Sequence, residues 1–171
     1  MTEIWDIYDE TGNRTGKTME RGKPAKGDYM LCVHMYIYNS DDKFLIQLRS
    51  MEKELYPGIW DITGGAVLHG EDSIDGAKRE VMEEIGLDIN NAEIKMVARL
   101  KRERSFVDIY FIKMEYNLKD CVLQQEEVSD VKMVDSHEII RMVKEFEVRD
   151  EEYLQVITDA IQVIENNRPR T

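Results

Sequence analysis

Residues 29–38 alternate between two sets of side chains that are both largely apolar: Tyr29, Leu31, Val33, Met35 and Ile37 against Met30, Cys32, His34, Tyr36 and Tyr38. A strand apolar on both sides belongs between two covering layers, so the pattern predicts a sheet with helices above and below. After the turn signal Asn39-Ser-Asp-Asp42, residues 43–49 place Phe44, Ile46 and Leu48 on one face and Leu45, Gln47 and Arg49 on the other. Further strands are expected at residues 94–102, 107–116 and 131–134. Ahead of these, Ile4-Trp5-Asp6-Ile7-Tyr8 runs into a turn at residues 9–13, which predicts an N-terminal hairpin, and residues 21–27 read as a loop. Two helices are expected to close the chain. One starts near Ser136, with Asp135 and Glu138 in capping-box spacing; the other covers residues 151–165, with Tyr153, Ile157, Ala160, Ile161 and Ile164 on a stripe expected to face the core.

Length and charge narrow the class. A chain of 171 residues, 42% hydrophobic and 34% charged, is the size and composition of one folded domain. Its formal charge of −12 opposes polynucleotide and anionic-membrane partners, so a phosphate-bearing ligand would need a local device to overcome the repulsion. The apolar run at residues 29–38 is too short to span a bilayer, and the acidic start lacks a leader pattern, so a cytoplasmic address is expected. Cys32 and Cys121, each in a strand-like run without metal-ligand spacing, are expected to be buried thiols, and the three histidines suggest no zinc site.

The chemistry lies in residues 62–89. A helix is expected over residues 73–85, capped by Asp72, stopped by Gly86, and buried along Ile74, Ala77, Val81 and Ile85. At about 100° per residue, Glu80, Glu83 and Glu84 fall on one edge of it. Taken alone, that edge reads equally well as a solvated acidic face or as a divalent-cation site, where hard oxygen ligands are wanted and the cation removes the repulsion. The glycine-rich loop before the helix, Glu71 and Arg79 favour the cation.

Together, Gly65, Glu71, Arg79, Glu80, Glu83, Glu84 and Gly86, with aliphatic Val81 and Leu87, fit the spacing of the Nudix box, and the chain resembles the Nudix hydrolase family. The resemblance implies an α/β fold, the α/β/α sandwich around a mixed sheet, with residues 1–27 as an N-terminal β-hairpin extension packed on a Nudix domain at 28–171. It also implies that Mg²⁺ or Mn²⁺ is held by Glu80, Glu84, Glu83 and the carbonyl of Gly64, that Arg79 steadies the carboxylates, and that Glu71 ties loop to helix. Bound cations neutralise a diphosphate and lower the pKa of an attacking water, whose proton a carboxylate then takes. Glu80 and Glu83 in the box, and Glu126 and Glu127 on a later loop, are candidates for that carboxylate. Outside the box, Trp5-Asp-Ile-Tyr-Asp-Glu-Thr-Gly12, Arg21-Gly22, residues 33–39 and 44–49, and Pro57-Gly-Ile-Trp-Asp61 resemble the branch related to type 1 isopentenyl-diphosphate isomerase. The isomerases carry a catalytic Cys shortly after the Trp that corresponds to Trp60, and a metal-binding His near the place of Met30; this chain has neither.

Substrate contacts are read from the strand faces. Gln47 and Arg49 share a face, and Arg99 and Lys101 share another with Arg102 opposite. Arg49, Arg99 and Gln47 are the candidate substrate contacts, with structural ion pairs as the competing role for the arginines. His34, Tyr36 and Tyr38 line either a pocket or the core, Trp60 is read as core, His137 as first-turn, and His69 receives no role. The reading that emerges is a Mg²⁺-dependent (or Mn²⁺-dependent) hydrolase of a small nucleoside or organic diphosphate. The alternatives are an isomerase-like enzyme and a non-catalytic module that binds a nucleotide effector. The N-terminal hairpin is a candidate homodimer arm.

Overall fold

The computed structural model describes residues 1–146 and 149–169. β1 (Ile4–Tyr8) and β2 (Arg14–Glu20) pair antiparallel as the N-terminal hairpin. The main sheet is built on β3 (Met30–Tyr38), which runs parallel to β8 (Ser105–Lys113) along its whole length, from Met30 opposite Ser105 to Tyr38 opposite Lys113. β7 (Glu93–Lys101) lies antiparallel beyond β8. On the other side β3 meets β4 (Phe44–Arg49) only at Ile37 and Tyr38. Beyond that contact β6 (Thr63–Ala66) pairs with β3, while β5 (Trp60–Asp61) and β9 (Val128–Val134) pair with β4.

The two apolar faces read from β3 are both covered. Val33, Met35 and Ile37 pack with Ala77, Val81 and Ile85 of α1 (Ser73–Ile85). Tyr36, Phe44, Ile46 and Phe111 pack with Ile139 and Val143 of α2 (Ser136–Glu145) and with Tyr153, Ile157 and Ile161 of α3 (Glu151–Asn166). Each such side chain contributes about 1.5–3 kcal/mol on burial, so these two layers hold the sandwich together. Asp135 and Asp150 cap α2 and α3 by accepting from the backbone N–H of Glu138 and Tyr153, both at 3.0 Å. α1 opens at a capping box between Asp72 and Asp75 and stops at Gly86, whose φ of 71° is the left-handed conformation that glycine adopts without strain.

One expectation is corrected. Cys121 is not on a strand; it follows a short 3-10 turn, Leu118–Asp120, and is half-buried. The β4–β9 register shifts between Leu48 and Arg49, where the extra residue, Ser129, lies on β9. The hairpin folds back on the same chain through a Tyr8–Tyr29 bridge, with Trp5, Ile7 and Tyr8 buried. Among the described residues, no helix is long and apolar enough to cross a membrane.

Candidate active site

α1 presents its acidic edge to β4 and β6. Glu80 and Glu84 are both buried, at 7% and 6% exposure, whereas Glu83 stands half out of the protein. Arg79 is the hub. Its Nε and Nη2 donate to the two oxygens of Glu71 at 2.6 and 3.2 Å, and Nη2 also donates to the carbonyl of Ala66 at 2.9 Å. Its Nη1 donates to Glu80 at 2.9 Å and to Glu83 at 3.2 Å. One guanidinium therefore fixes the loop before the helix and two carboxylates on it, in the forked geometry that makes Arg suited to several carboxylates at once.

Glu84 is held from the sheet. Gln47, 3% exposed, donates its Nε2 to Glu84 Oε2 at 2.9 Å, and its amide oxygen accepts from Thr63 Oγ1 at 3.0 Å. Gln47 is thus placed to orient a carboxylate rather than to meet substrate. Burial, and then the charge of Glu80, push the Glu84 carboxyl up to about 8; burial also raises Glu80, against the lowering effect of Arg79. A buried carboxylate pair with one guanidinium, and no further cation paired with it among the described residues, is short of positive charge, which is the electrostatic condition a divalent cation relieves.

The neighbouring glycines have separate tasks. A Cβ on Gly65 would fall inside the Glu80 carboxylate, so the seat of that carboxylate exists only because residue 65 has no side chain. A Cβ on Gly64 would lie 2.9 Å from the carbonyl oxygen of Val33 and 3.1 Å from the ring of His34, on the other face of β6. The sequence pattern places Gly65 in the box without giving its reason; contact with a residue fifteen positions later supplies it.

The other expected residues fall as follows. Glu127 makes an ion pair with Lys53, and its charge contributes to raising Glu84, which puts it on the carboxylate side. Arg99 is engaged within the fold. It grips the fully buried Asp108 through Nε at 2.6 Å and Nη2 at 2.8 Å, and reaches the carbonyl of Gly12 in the β1–β2 turn. Arg49 donates to the carbonyls of Tyr56 and Leu55 at 3.0 and 2.8 Å. Among the described residues, no three His, Cys, Asp or Glu side chains converge as a formed metal cage: Glu83 is drawn to Arg79.

Three features escaped the sequence reading. Asp6, buried on β1, accepts from the backbone N–H of Gly70 at 3.0 Å and meets His69 Nδ1 at 2.7 Å, while the Arg14 guanidinium donates to the carbonyl of Glu71. The hairpin therefore braces the loop that leads into α1. Arg149 and Asp61 form a buried two-pronged pair at 2.7 and 3.1 Å, and the guanidinium lies 4.4 Å over the ring of Phe146. His34, Tyr36 and Tyr153 form a chain, with Nδ1 of His34 2.8 Å from the Tyr153 hydroxyl and the two hydroxyls 2.8 Å apart. Cys32 lies close by, with burial pushing its thiol up to about 12, so it is not a reactive thiolate at neutral pH.

The NUDIX domain description matches residues 28–157. An uncharacterized Nudix hydrolase of Listeria monocytogenes, lmo0368, is 39% identical over 139 residues, covering 80% of this chain and 82% of that protein. An isopentenyl-diphosphate Delta-isomerase of Pectobacterium atrosepticum is 32% identical over 90 residues, 51% of this chain and 49% of that one. In fold, the chain is similar to DR0079 of Deinococcus radiodurans, with a TM-score of 0.73 and 20% identity, covering 92% of this chain and 98% of that one.

Proposed function

Because this chain belongs to the Nudix family, we propose that it is a divalent-cation-dependent hydrolase that cleaves the diphosphate linkage of a small nucleoside or organic diphosphate by water attack on phosphorus. The observation that carries this reading is the buried Glu80–Glu84 pair, steadied by Arg79 from one side and by Gln47 from the other. Its donors are hard carboxylate oxygens, and Glu84 keeps a proton in the absence of any other cation, so the residues fit Mg²⁺ or Mn²⁺. Glu80, Glu84 and Glu83 would hold the ion, with the carbonyl of Gly64. When bound, such an ion neutralises phosphate oxygens and makes a nearby water more acidic.

The chain's own residues supply the rest. Arg79 keeps Glu80 and Glu83 oriented before substrate arrives, and Glu71 locks Arg79 to the loop. Glu127, ion-paired with Lys53, is the proposed acceptor of the attacking water's proton. The test is phosphate release with Mg²⁺ and with Mn²⁺ across dinucleoside polyphosphates, nucleoside di- and triphosphates, sugar nucleotides, nucleotide cofactors and isoprenoid diphosphates. Turnover that disappears in Glu84→Gln supports the reading. Isomerised isoprenoid product would favour the isomerase-like alternative, and nucleotide binding without turnover on any compound would make the chain an effector-binding module.

A further inference from the structure

The loop between β6 and α1 carries Glu71, the residue that holds Arg79, and its backbone N–H groups show what shapes it. That of Val67 donates to the carbonyl of Leu31 at 2.9 Å, and that of Glu71 closes a turn on Leu68 at 3.1 Å. That of Leu68 goes to the carboxylate of Glu71 at 3.1 Å. The remaining two are taken by the hairpin: His69 donates to the carbonyl of Ile4 at 2.8 Å, and Gly70 to Asp6 Oδ2 at 3.0 Å. The Arg14 guanidinium, 3.5 Å from Asp6, donates to the carbonyl of Glu71. Residues 69, 70 and 71 are thus each held from β1 or β2, and Asp6 binds two of them.

Anchoring the hairpin does not call for a carboxylate. Trp5, Ile7 and Tyr8 are buried, and Tyr8 and Tyr29 exchange backbone bonds at 2.7 and 3.0 Å. Asp6 sits among them at 7% exposure, where a charge is costly unless several donors meet it. Burial works to raise its carboxyl, but the bonds from His69 and Gly70 and the nearby Arg14 charge outweigh burial and hold it below its ordinary 3.8. An ionised carboxylate only accepts, so His69 donates its Nδ1–H, at 2.7 Å. Gly70, with a φ of 83°, has many conformations open to it once released, and it directly precedes Glu71. The donors of Asp6 therefore lie where the loop most needs to be held.

From Glu71 the relay to the carboxylates is short. Glu71 accepts from Nε and Nη2 of Arg79 at 2.6 and 3.2 Å, and Arg79 Nη1 reaches Glu80 at 2.9 Å and Glu83 at 3.2 Å. The side chains of Glu71 and Arg79 are only 20% and 19% exposed, so a shift of the loop passes to the guanidinium instead of being absorbed by water.

We infer that Asp6 is a positioning residue for the cation site: it fixes residues 69–71 and, through Glu71 and Arg79, sets the carboxylates of Glu80 and Glu83. The hairpin is then part of the active framework, although it lies outside the residues 28–157 that match the NUDIX domain. The cation half of this assignment rests on the proposed hydrolase reading; the relay from Asp6 to Arg79 does not. Removing a partner that orients metal ligands from behind typically lowers metal affinity by about 10–100-fold, and Asp6, two links further back, belongs at the lower end.

The test uses the full chain with Asp6→Ala, Glu71→Gln and the two combined. Mn²⁺ affinity is read without substrate, from the EPR signal of the free ion. Exchange of the Arg79 Nε–H is read by NMR in chelator, so it judges the relay without metal; both are measured well below each variant's melting temperature. Asp6→Ala is expected to weaken Mn²⁺ binding by about 10-fold and to speed the Arg79 exchange. In the Glu71→Gln background it should add nothing to either, because its effect travels through Glu71. A carboxylate that only holds the hairpin down would lower the melting temperature and leave both readouts unchanged, which overturns the assignment; additive effects in the double variant overturn it as well. If Asp6→Ala does not fold, Asp6→Asn, of the same shape but with one acceptor oxygen, decides on the same two readouts. The two readings fail separately. Asp6-dependent Mn²⁺ binding without phosphate release from any compound removes the hydrolase and leaves the positioning role. Phosphate release by wild type, with Mn²⁺ affinity and Arg79 exchange indifferent to Asp6, removes the positioning role and leaves the hydrolase.

Discussion

The carboxylate of Glu80 occupies the space that a side chain at Gly65 would need. Gly65→Ala should therefore act on chemistry more than on folding, because the displaced group is the far end of a flexible side chain. A loss of about 100-fold in kcat is expected, the scale on which an ångström of misplacement acts. Steady-state kinetics with Mg²⁺, beside a melting curve within a few degrees of wild type, checks it.

Glu84→Gln separates ligand loss from stability. In metal-free protein the Glu84 carboxyl stands at about 8, above its ordinary 4.5. Between those values the folded chain keeps a proton that the unfolded chain has released, so folding stability falls as pH rises through the window. Glutamine has no such proton to lose. In chelator, urea midpoints of the two proteins should be close at pH 4.5 and should diverge by pH 8.5 in favour of the variant, which at the same time should be almost inactive with Mg²⁺. Parallel midpoints would mean that Glu84 titrates normally.

Arg99→Ala should damage folding and spare turnover. It leaves Asp108, fully buried, without its guanidinium, and breaking a buried pair from one side costs about 3–5 kcal/mol. Urea unfolding reads the loss, while kcat measured where the variant is still folded should hold. A selective rise in KM would instead return Arg99 to the substrate.

Glu127→Gln, if Glu127 takes the water's proton, should lower kcat by about 10²–10⁴-fold with little change in KM. Lys53→Met, which releases Glu127 without removing it, should cost less and should shift the pH–rate profile. Equal, small effects from both would leave the proton to a carboxylate of α1.

The pattern of the sequence carried the layers and the box because both are local. β3 declares two apolar faces within ten residues, and α1 carries its own cap, stripe and stop. What stayed hidden was long-range or irregular. Arg149 and Asp61 are 88 residues apart, and each alone resembles an ordinary surface charge. Asp6 and His69, 63 apart, are joined only when the hairpin folds over the box loop. Arg49, two residues after Gln47 on β4, turned out to be held by the carbonyls of Leu55 and Tyr56, partners that alternation does not announce. Gln47 was placed on the correct strand, but its buried partners Glu84 and Thr63 were not foreseen, since periodicity says where a side chain points but not what awaits it.

β6 is a partition one backbone thick, with the Glu80 carboxylate against Gly65 on one side and the His34 ring against Gly64 on the other. Two successive residues of one strand thus hold apart two unlike neighbourhoods: a side chain added at position 65 would disturb the acidic face alone, and one added at position 64 would disturb the aromatic face alone.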